Sequence, residues 1–238
     1  MTAPAIDFVH VNKRYGSAEA LRDVSFRVDA GECFGLAGVN GAGKTTLLKC
    51  LLDFCELGSG AIEILGVPHV EARARGALAY LPERFNPPFY LTGMDFLRYT
   101  MRLHGVEYDG HNVARTLESL DLAFPMLSKP ARLLSKGMTQ KLGLAACLLS
   151  GKRLYILDEP MSGLDPRARA LAKEHLKRLQ GEGCTLFLTS HALSDIAQLC
   201  SRMAILHDGQ LRFAGTPDTL CRSYGEADVE QAFLRCIG

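Results

Sequence analysis

Three observations in this 238-residue sequence predict an α/β fold with a strand-rich start and a helical insertion. Short apolar runs that read as buried strands, Cys33–Ala37, Leu154–Leu157 and Thr185–Thr189, alternate with helical stretches, which implies a parallel sheet covered by helices. Ahead of the first run, Val24, Phe26 and Val28 alternate with Ser25, Arg27 and Asp29, the pattern of a strand with one buried face. From Pro82 to about Gly151 the strand patterns stop and helical ones take over.

The elements follow in order. Ile6, Phe8 and Val11 give a rougher strand that ends at the turn Arg14-Tyr15-Gly16. The strand Cys33–Ala37 runs into a glycine-rich loop, and Thr46–Leu52 forms the first turns of a helix. Two short strands are expected near Ala61–Leu65 and Ala77–Leu81. Phe85-Asn86-Pro87-Pro88-Phe89 continues neither strand nor helix, because both prolines lack an N–H. Thr92, with Asp95 three residues on, is an N-cap for a helix carrying Phe96, Leu97, Tyr99, Met101 and Leu103. Further helices are expected near Val113–Leu122 and Gly137–Leu149. Residues 83–151 therefore read as a helical subdomain inserted into a core of residues 1–82 and 152–238, within a single domain. Beyond it, Pro166–Gln180 is a helix with Asp165 at its cap and Pro166 in the first position. Met203–Leu206 and Leu211–Ala214 flank an Asp-Gly turn as a hairpin.

Composition bounds the function. Apolar residues make up 47% and charged residues 22%, ordinary for a folded protein. A formal net charge of +1 gives no charge-driven case for nucleic acid, so no nucleic-acid partner is expected. The longest apolar run near the middle, Leu142–Leu149, is far short of the roughly 20 residues a membrane span needs. The start, Met-Thr-Ala-Pro-Ala-Ile-Asp, has no basic patch followed by an apolar stretch, so no secretory signal is expected. Eight cysteines are scattered without a C-x-x-C pair. Reduced core cysteines in a cytoplasmic protein explain them more simply than disulfides or a structural metal.

The chemistry concentrates in two places. Residues 38–46, Gly-Val-Asn-Gly-Ala-Gly-Lys-Thr-Thr, satisfy G-x-x-x-x-G-K-[ST] between a strand and a helix. The glycines let backbone N–H groups point at phosphate oxygens, and the helix N-terminus adds a favourable dipole. Lys44 supplies a charge for the β- and γ-phosphates, and the Thr45 hydroxyl can ligate Mg²⁺. The second place is Leu154-Tyr155-Ile156-Leu157-Asp158-Glu159-Pro160, a buried strand ending in two carboxylates. Its tip falls at the C-terminal edge of the sheet, where ligands bind in open α/β folds. One carboxylate there can hold Mg²⁺ and the next can polarise a water toward the γ-phosphate.

Three more stretches complete a pattern. Leu134-Ser135-Lys136-Gly137-Met138 precedes a helix, Ser162-Gly163-Leu164-Asp165 follows Glu159, and His191 follows the strand Thr185–Thr189. Together and in this order, over essentially the whole chain, they resemble the nucleotide-binding subunit of an ABC transporter. The resemblance implies a P-loop nucleotide hydrolase core with an N-terminal antiparallel β subdomain and an inserted α-helical subdomain. It implies an ATPase whose cofactors are ATP and Mg²⁺. Tyr15 stands where the family stacks an aromatic on adenine, although a tyrosine half buried on the sheet would look the same. Gly38, Asn40, Gly41, Gly43, Lys44, Thr45 and Thr46 would hold the triphosphate. Asp158 matches the Mg²⁺-associated aspartate, Glu159 the general base, and His191 the histidine that contacts the γ-phosphate. Ser135 and Gly137 match the signature groups that reach ATP on the opposite subunit, and Asp165 lies in the loop coupling the two sites.

Such a site needs two chains, so the resemblance implies a dimer, here a homodimer, together with a separate membrane-spanning permease subunit. It places the chain in the cytoplasm, peripheral on the inner face of the membrane. The run Phe85 to Leu91 lies where the family receives its membrane partner. Two departures stand out. Glu83 replaces the usual glutamine, which makes it a possible Mg²⁺ ligand and puts a negative charge near the γ-phosphate. Lys136 and Met138 replace the signature's usual glycine and glutamine. Leu-Pro-Glu and Ser-Lys-Gly-Met look like subunits of ABC-2-type exporters, which implies export. A non-transport ABC protein fits poorly with one cassette and near-zero charge, and a switch without turnover fits poorly with Glu159.

Overall fold

The computed structural model describes residues 4–238. β1 (Ile6–Tyr15) and β2 (Ala18–Val28) open the chain, β3 (Cys33–Ala37) enters the core and α1 (Lys44–Leu51) leaves it. β4 (Ser59–Ile64), β5 (Val67–Pro68) and the one-turn α2 (Ala72–Arg75) bring the chain to β6 (Leu78–Leu81). A helical stretch follows: α3 (Gly93–Leu103), α4 (Gly110–Glu118) and α5 (Lys136–Leu148), with short 3-10 turns at Phe124–Ser128 and Ala131–Leu133. The chain then alternates through β7 (Leu154–Asp158), α6 (Pro166–Gly181), β8 (Thr185–Ser190) and α7 (Leu193–Leu199). The hairpin β9 (Arg202–His207) and β10 (Gln210–Gly215) precedes two closing helices, α8 (Pro217–Tyr224) and α9 (Val229–Ile237).

Two sheets result. β2-β1-β4-β5 is antiparallel, and the central sheet runs β10-β9-β3-β8-β7-β6 with only β10 antiparallel to its neighbour. Every residue of β3, β7 and β8 is buried, as expected for parallel strands covered on both faces. The antiparallel sheet is fastened to the central one by aromatics. Phe26 stacks on Phe34 with centroids 5.4 Å apart, and Phe8 and Phe187 close the cluster at 6.0 Å from one another. Burial of each such ring contributes about 1.5–3 kcal/mol, so this cluster decides how β1 and β2 sit over the phosphate loop. A second apolar core joins α3 and α5 to β6 and β7 through residues such as Leu97, Leu142 and Leu157.

Local signals held in several places. The Thr92 hydroxyl oxygen accepts from the Asp95 N–H at 3.1 Å and its O–H donates to the Asp95 carboxylate at 2.6 Å, capping α3. Asp208 and Gly209 both have positive φ, +47° and +72°, the turn that suits the strand twist of a hairpin. Others shifted. α4 starts at Gly110, capped by Asp109, and ends at Glu118, earlier than the run Val113–Leu122 suggested. The sequence does not announce α7, α8 and α9, because each is short, α7 has no side-chain cap and the caps of α8 and α9 lie among ordinary loop residues. α8, for example, is opened by a Thr216–Thr219 capping box. Among the described residues no helix is long and apolar enough to cross a membrane.

Candidate nucleotide site

Register puts the chemistry at one edge. In the parallel central sheet Leu81 pairs with Leu157, Asp158 with Thr189, and Ala37 with Ser190. The C-terminal ends of β3, β6, β7 and β8 therefore lie side by side, and the loops leaving them share one cavity of about 480 Å³. Gly38, Asn40, Gly41, Gly43, Lys44, Thr45, Thr46, Glu83, Asp158, Glu159 and His191 all line it.

The loop before α1 is shaped for close approach. Gly43 has φ +110°, and a Cβ there would stand 2.8 Å from the Ala20 carbonyl oxygen. A Cβ at Gly38 would stand 2.5 Å from that of Leu206, so neither position tolerates a side chain. No side chain caps α1, which leaves its first N–H groups free for an anion. Lys44 is only 9% exposed, and its amine donates to the Gly38 carbonyl at 2.6 Å. Burial pushes its pKa down, while Glu159, Asp158 and Glu83 pull the other way. Among the described residues no carboxylate lies within ion-pair distance of it. A buried ammonium at a bare helix N-terminus calls for a phosphate.

The two carboxylates are held from behind. Asp158 is 3% exposed and accepts the Thr189 hydroxyl at 2.6 Å. Burial raises its pKa, the Thr189 bond opposes this, and Glu83 and Glu159 reinforce the rise. Glu159 has φ +50°, a left-handed conformation uncommon for a residue with a side chain, and such strain collects at functional sites. Its N–H donates to the Thr189 hydroxyl oxygen at 3.0 Å. From α5, the Gln140 amide donates to the carbonyls of Glu159 and Pro160 at 3.4 and 3.3 Å. His191 Nδ1 lies 2.8 Å from Glu159 Oε2, and with an ionised carboxylate that nitrogen is the donor, leaving Nε2 for another partner.

Thr189 and Gln140 were invisible in the sequence, since only strand register and helix packing bring them to Glu159. Thr189 is fully buried and serves both carboxylate residues. Thr189→Val keeps the shape but leaves a buried N–H and a buried carboxylate short of a partner. It is expected to lower stability by about 1–3 kcal/mol in denaturant unfolding. A change under about 0.5 kcal/mol would mean that water takes over both bonds.

Four sequence candidates stand outside the cavity wall. Tyr15 is half exposed, its hydroxyl 3.5 Å from Cys55 Sγ and its ring under the Lys13 amine. Ser135 is exposed and caps α5, accepting from the Met138 N–H at 3.2 Å. Gly137, half-buried in the first turn of α5, is equally absent from the wall. Asp165 caps α6 by accepting from the Ala168 N–H at 2.9 Å. Lys136 lays its aliphatic stem over Gly163 in the segment between Glu159 and α6. Phe233 of α9 also reaches the wall, which nothing in the sequence announced.

Comparison with known proteins bears directly on this geometry. Residues 21–162 match the family model described as ABC transporter. The chain is 36% identical over 240 residues to Nod factor export ATP-binding protein I of Burkholderia orbicola (strain AU 1054), covering 98% of this chain and 78% of the relative. It is 38% identical over 226 residues to the protein of the same name from Rhizobium meliloti (strain 1021), covering 91% and 65%. A solved structure described as an ATP binding subunit of an ABC transporter superposes with a TM-score of 0.86 at 30% identity, over 98% of this chain and 99% of that one. A dimeric ATP-binding cassette in a post-hydrolysis state, bound to ADP and Pi, shares the fold with a TM-score of 0.80 at 19% identity, over 89% and 98%. With a phosphate loop, a paired carboxylate tip and a histidine on one cavity, the chain belongs to the ABC transporter family as an ATP-hydrolysing, ATP-binding subunit.

Proposed function

We propose that two copies of this chain face each other head to tail, each closing the other's nucleotide cavity, and that hydrolysis drives export through a separate permease. The observation that carries this reading is the split of the site. Lys44, Asp158, Glu159 and His191 share one cavity, while Ser135 and Gly137 open a helix outside it. The first N–H groups of that helix suit an anion, and neither Ser135 nor Gly137 lines the cavity of its own chain.

In this reading ATP lies with its triphosphate along residues 38–46, and Tyr15 meets the adenine from beside the cavity. The hard oxygen donors of Thr45, Asp158 and Glu83 fit Mg²⁺, which prefers such ligands. Mg²⁺ bound there would neutralise charge on the β- and γ-phosphate oxygens. Glu159 accepts a proton from the water whose oxygen attacks the γ-phosphorus, and ADP leaves with the bridging oxygen. Glu159 holds the imidazole of His191 through the 2.8 Å bond, and Nε2 is the atom available to the γ-phosphate.

The export-protein relatives support an export role and a membrane partner, and so does one surface. Phe89 and Tyr90 are 66% and 69% exposed, packed edge to face at 5.4 Å. Phe85, in contrast, turns inward onto Phe96. Phe89 lines a groove formed with Arg132, Leu134 and Thr139, near the signature segment. A short helix of the permease seated there would hold the chain on the inner face of the membrane. Phe89→Asp is expected to cut permease-dependent membrane association and ATPase stimulation by about tenfold or more, with unstimulated hydrolysis unchanged. Unaltered co-sedimentation with permease-containing membranes would place the docking face elsewhere.

A further inference from the structure

The C-terminal helices send one side chain into the site. Phe233 lies on the wall of the nucleotide cavity, 8% exposed, with no counterpart there from α8 or the rest of α9. It shares an apolar cluster with Leu193 and Ile196 of α7 and Leu220 of α8. α9 packs against α7, α8 and β10. α7 begins two residues after His191, and no side chain caps it.

His191 itself is loosely held. Its side chain is 67% exposed, and its polar tie among the described residues is the single bond to Glu159. Where the imidazole sits therefore depends on how the start of α7 is seated, and α9 supplies part of that seat. We infer that Phe233 is a positioning residue for the His191–Glu159 pair, so that the α8–α9 hairpin is a working part of the site. This rests on Glu159 being the base, and it extends that reading to a residue of the C-terminal helices.

The test uses the full chain labelled with ¹⁵N-histidine. Imidazole resonances are recorded for the unaltered protein, Phe233→Ala and Phe233→Leu, with the His191 signals identified by their loss in His191→Gln. Phe233→Ala is expected to shift or broaden the His191 signals and leave those of the distant His111 in place. It is also expected to lower kcat about tenfold with the KM for ATP within about twofold. Phe233→Leu keeps an apolar side chain and is expected to give a smaller shift and about a threefold loss, so it decides the matter if Phe233→Ala does not fold. His191 signals that stay in place in a folded Phe233 variant overturn the proposal. So does a kcat that stays unchanged, provided Glu159→Gln abolishes turnover. If Glu159→Gln leaves turnover intact, the base assignment fails, while the resonances still decide whether Phe233 seats His191.

Discussion

Glu159→Gln is expected to lower steady-state phosphate release by about 10²-fold or more while ATP affinity stays within about twofold. The substitution keeps the shape of the side chain and the backbone bond from Glu159 to Thr189. What it removes is the acceptor that takes the water's proton. The His191 contact survives, because the glutamine oxygen can still accept from Nδ1. Binding groups and reacting groups thus separate: Lys44 and the loop remain, and turnover stops. With hydrolysis blocked and ATP retained, the closed pair should persist, giving a dimer in size-exclusion chromatography with ATP and a monomer without it. Equal phosphate release by the two proteins would remove Glu159 from the base role, whatever else binds in the cavity.

Lys44→Ala is expected to weaken ATP binding by about 30- to 100-fold, read by titration calorimetry. The amine is buried and already bonded to the Gly38 carbonyl. Charge-assisted bonds of this kind contribute about 1.5–3 kcal/mol, and 1.4 kcal/mol is tenfold in affinity. Stability should hardly fall, because the substitution removes a buried cation whose charged form burial already disfavours. Lys44→Arg should not restore binding, since a planar guanidinium does not fit where a compact ammonium sits beneath the loop. ATP affinity within about threefold of the unaltered protein would mean that the loop's N–H groups alone carry the phosphates.

Much of the site was legible because its parts are local. A phosphate loop is written in consecutive residues, and Asp158 and Glu159 end a strand whose apolar run marks it as buried. His191 and Ser135 became legible only as members of an ordered set, not from anything in their own surroundings. Thr189, Gln140 and Phe233 were not legible at all. Each reaches the site through a contact between segments far apart in the chain: β8 against β7, α5 against the Glu159 turn, and α9 against the cavity wall. In the fold, β3 and β7 announced themselves by unbroken apolar runs and α6 by its length and its Asp165-Pro166 start. The one- and two-turn helices α2 and α7 did not, because tertiary packing rather than intrinsic propensity stabilises pieces that short. Phe85 shows the same limit: a run of aromatics does not say which ring turns inward, and here Phe96 decides it.

The head-to-tail arrangement is tested most directly by a crystal structure of Glu159→Gln with Mg²⁺ and ATP. The account places the Ser135 hydroxyl of one copy within hydrogen-bonding distance, about 3 Å, of the γ-phosphate held by Lys44 of the other. A nucleotide-loaded structure in which Ser135 faces solvent, or meets the phosphate of its own chain, would contradict it.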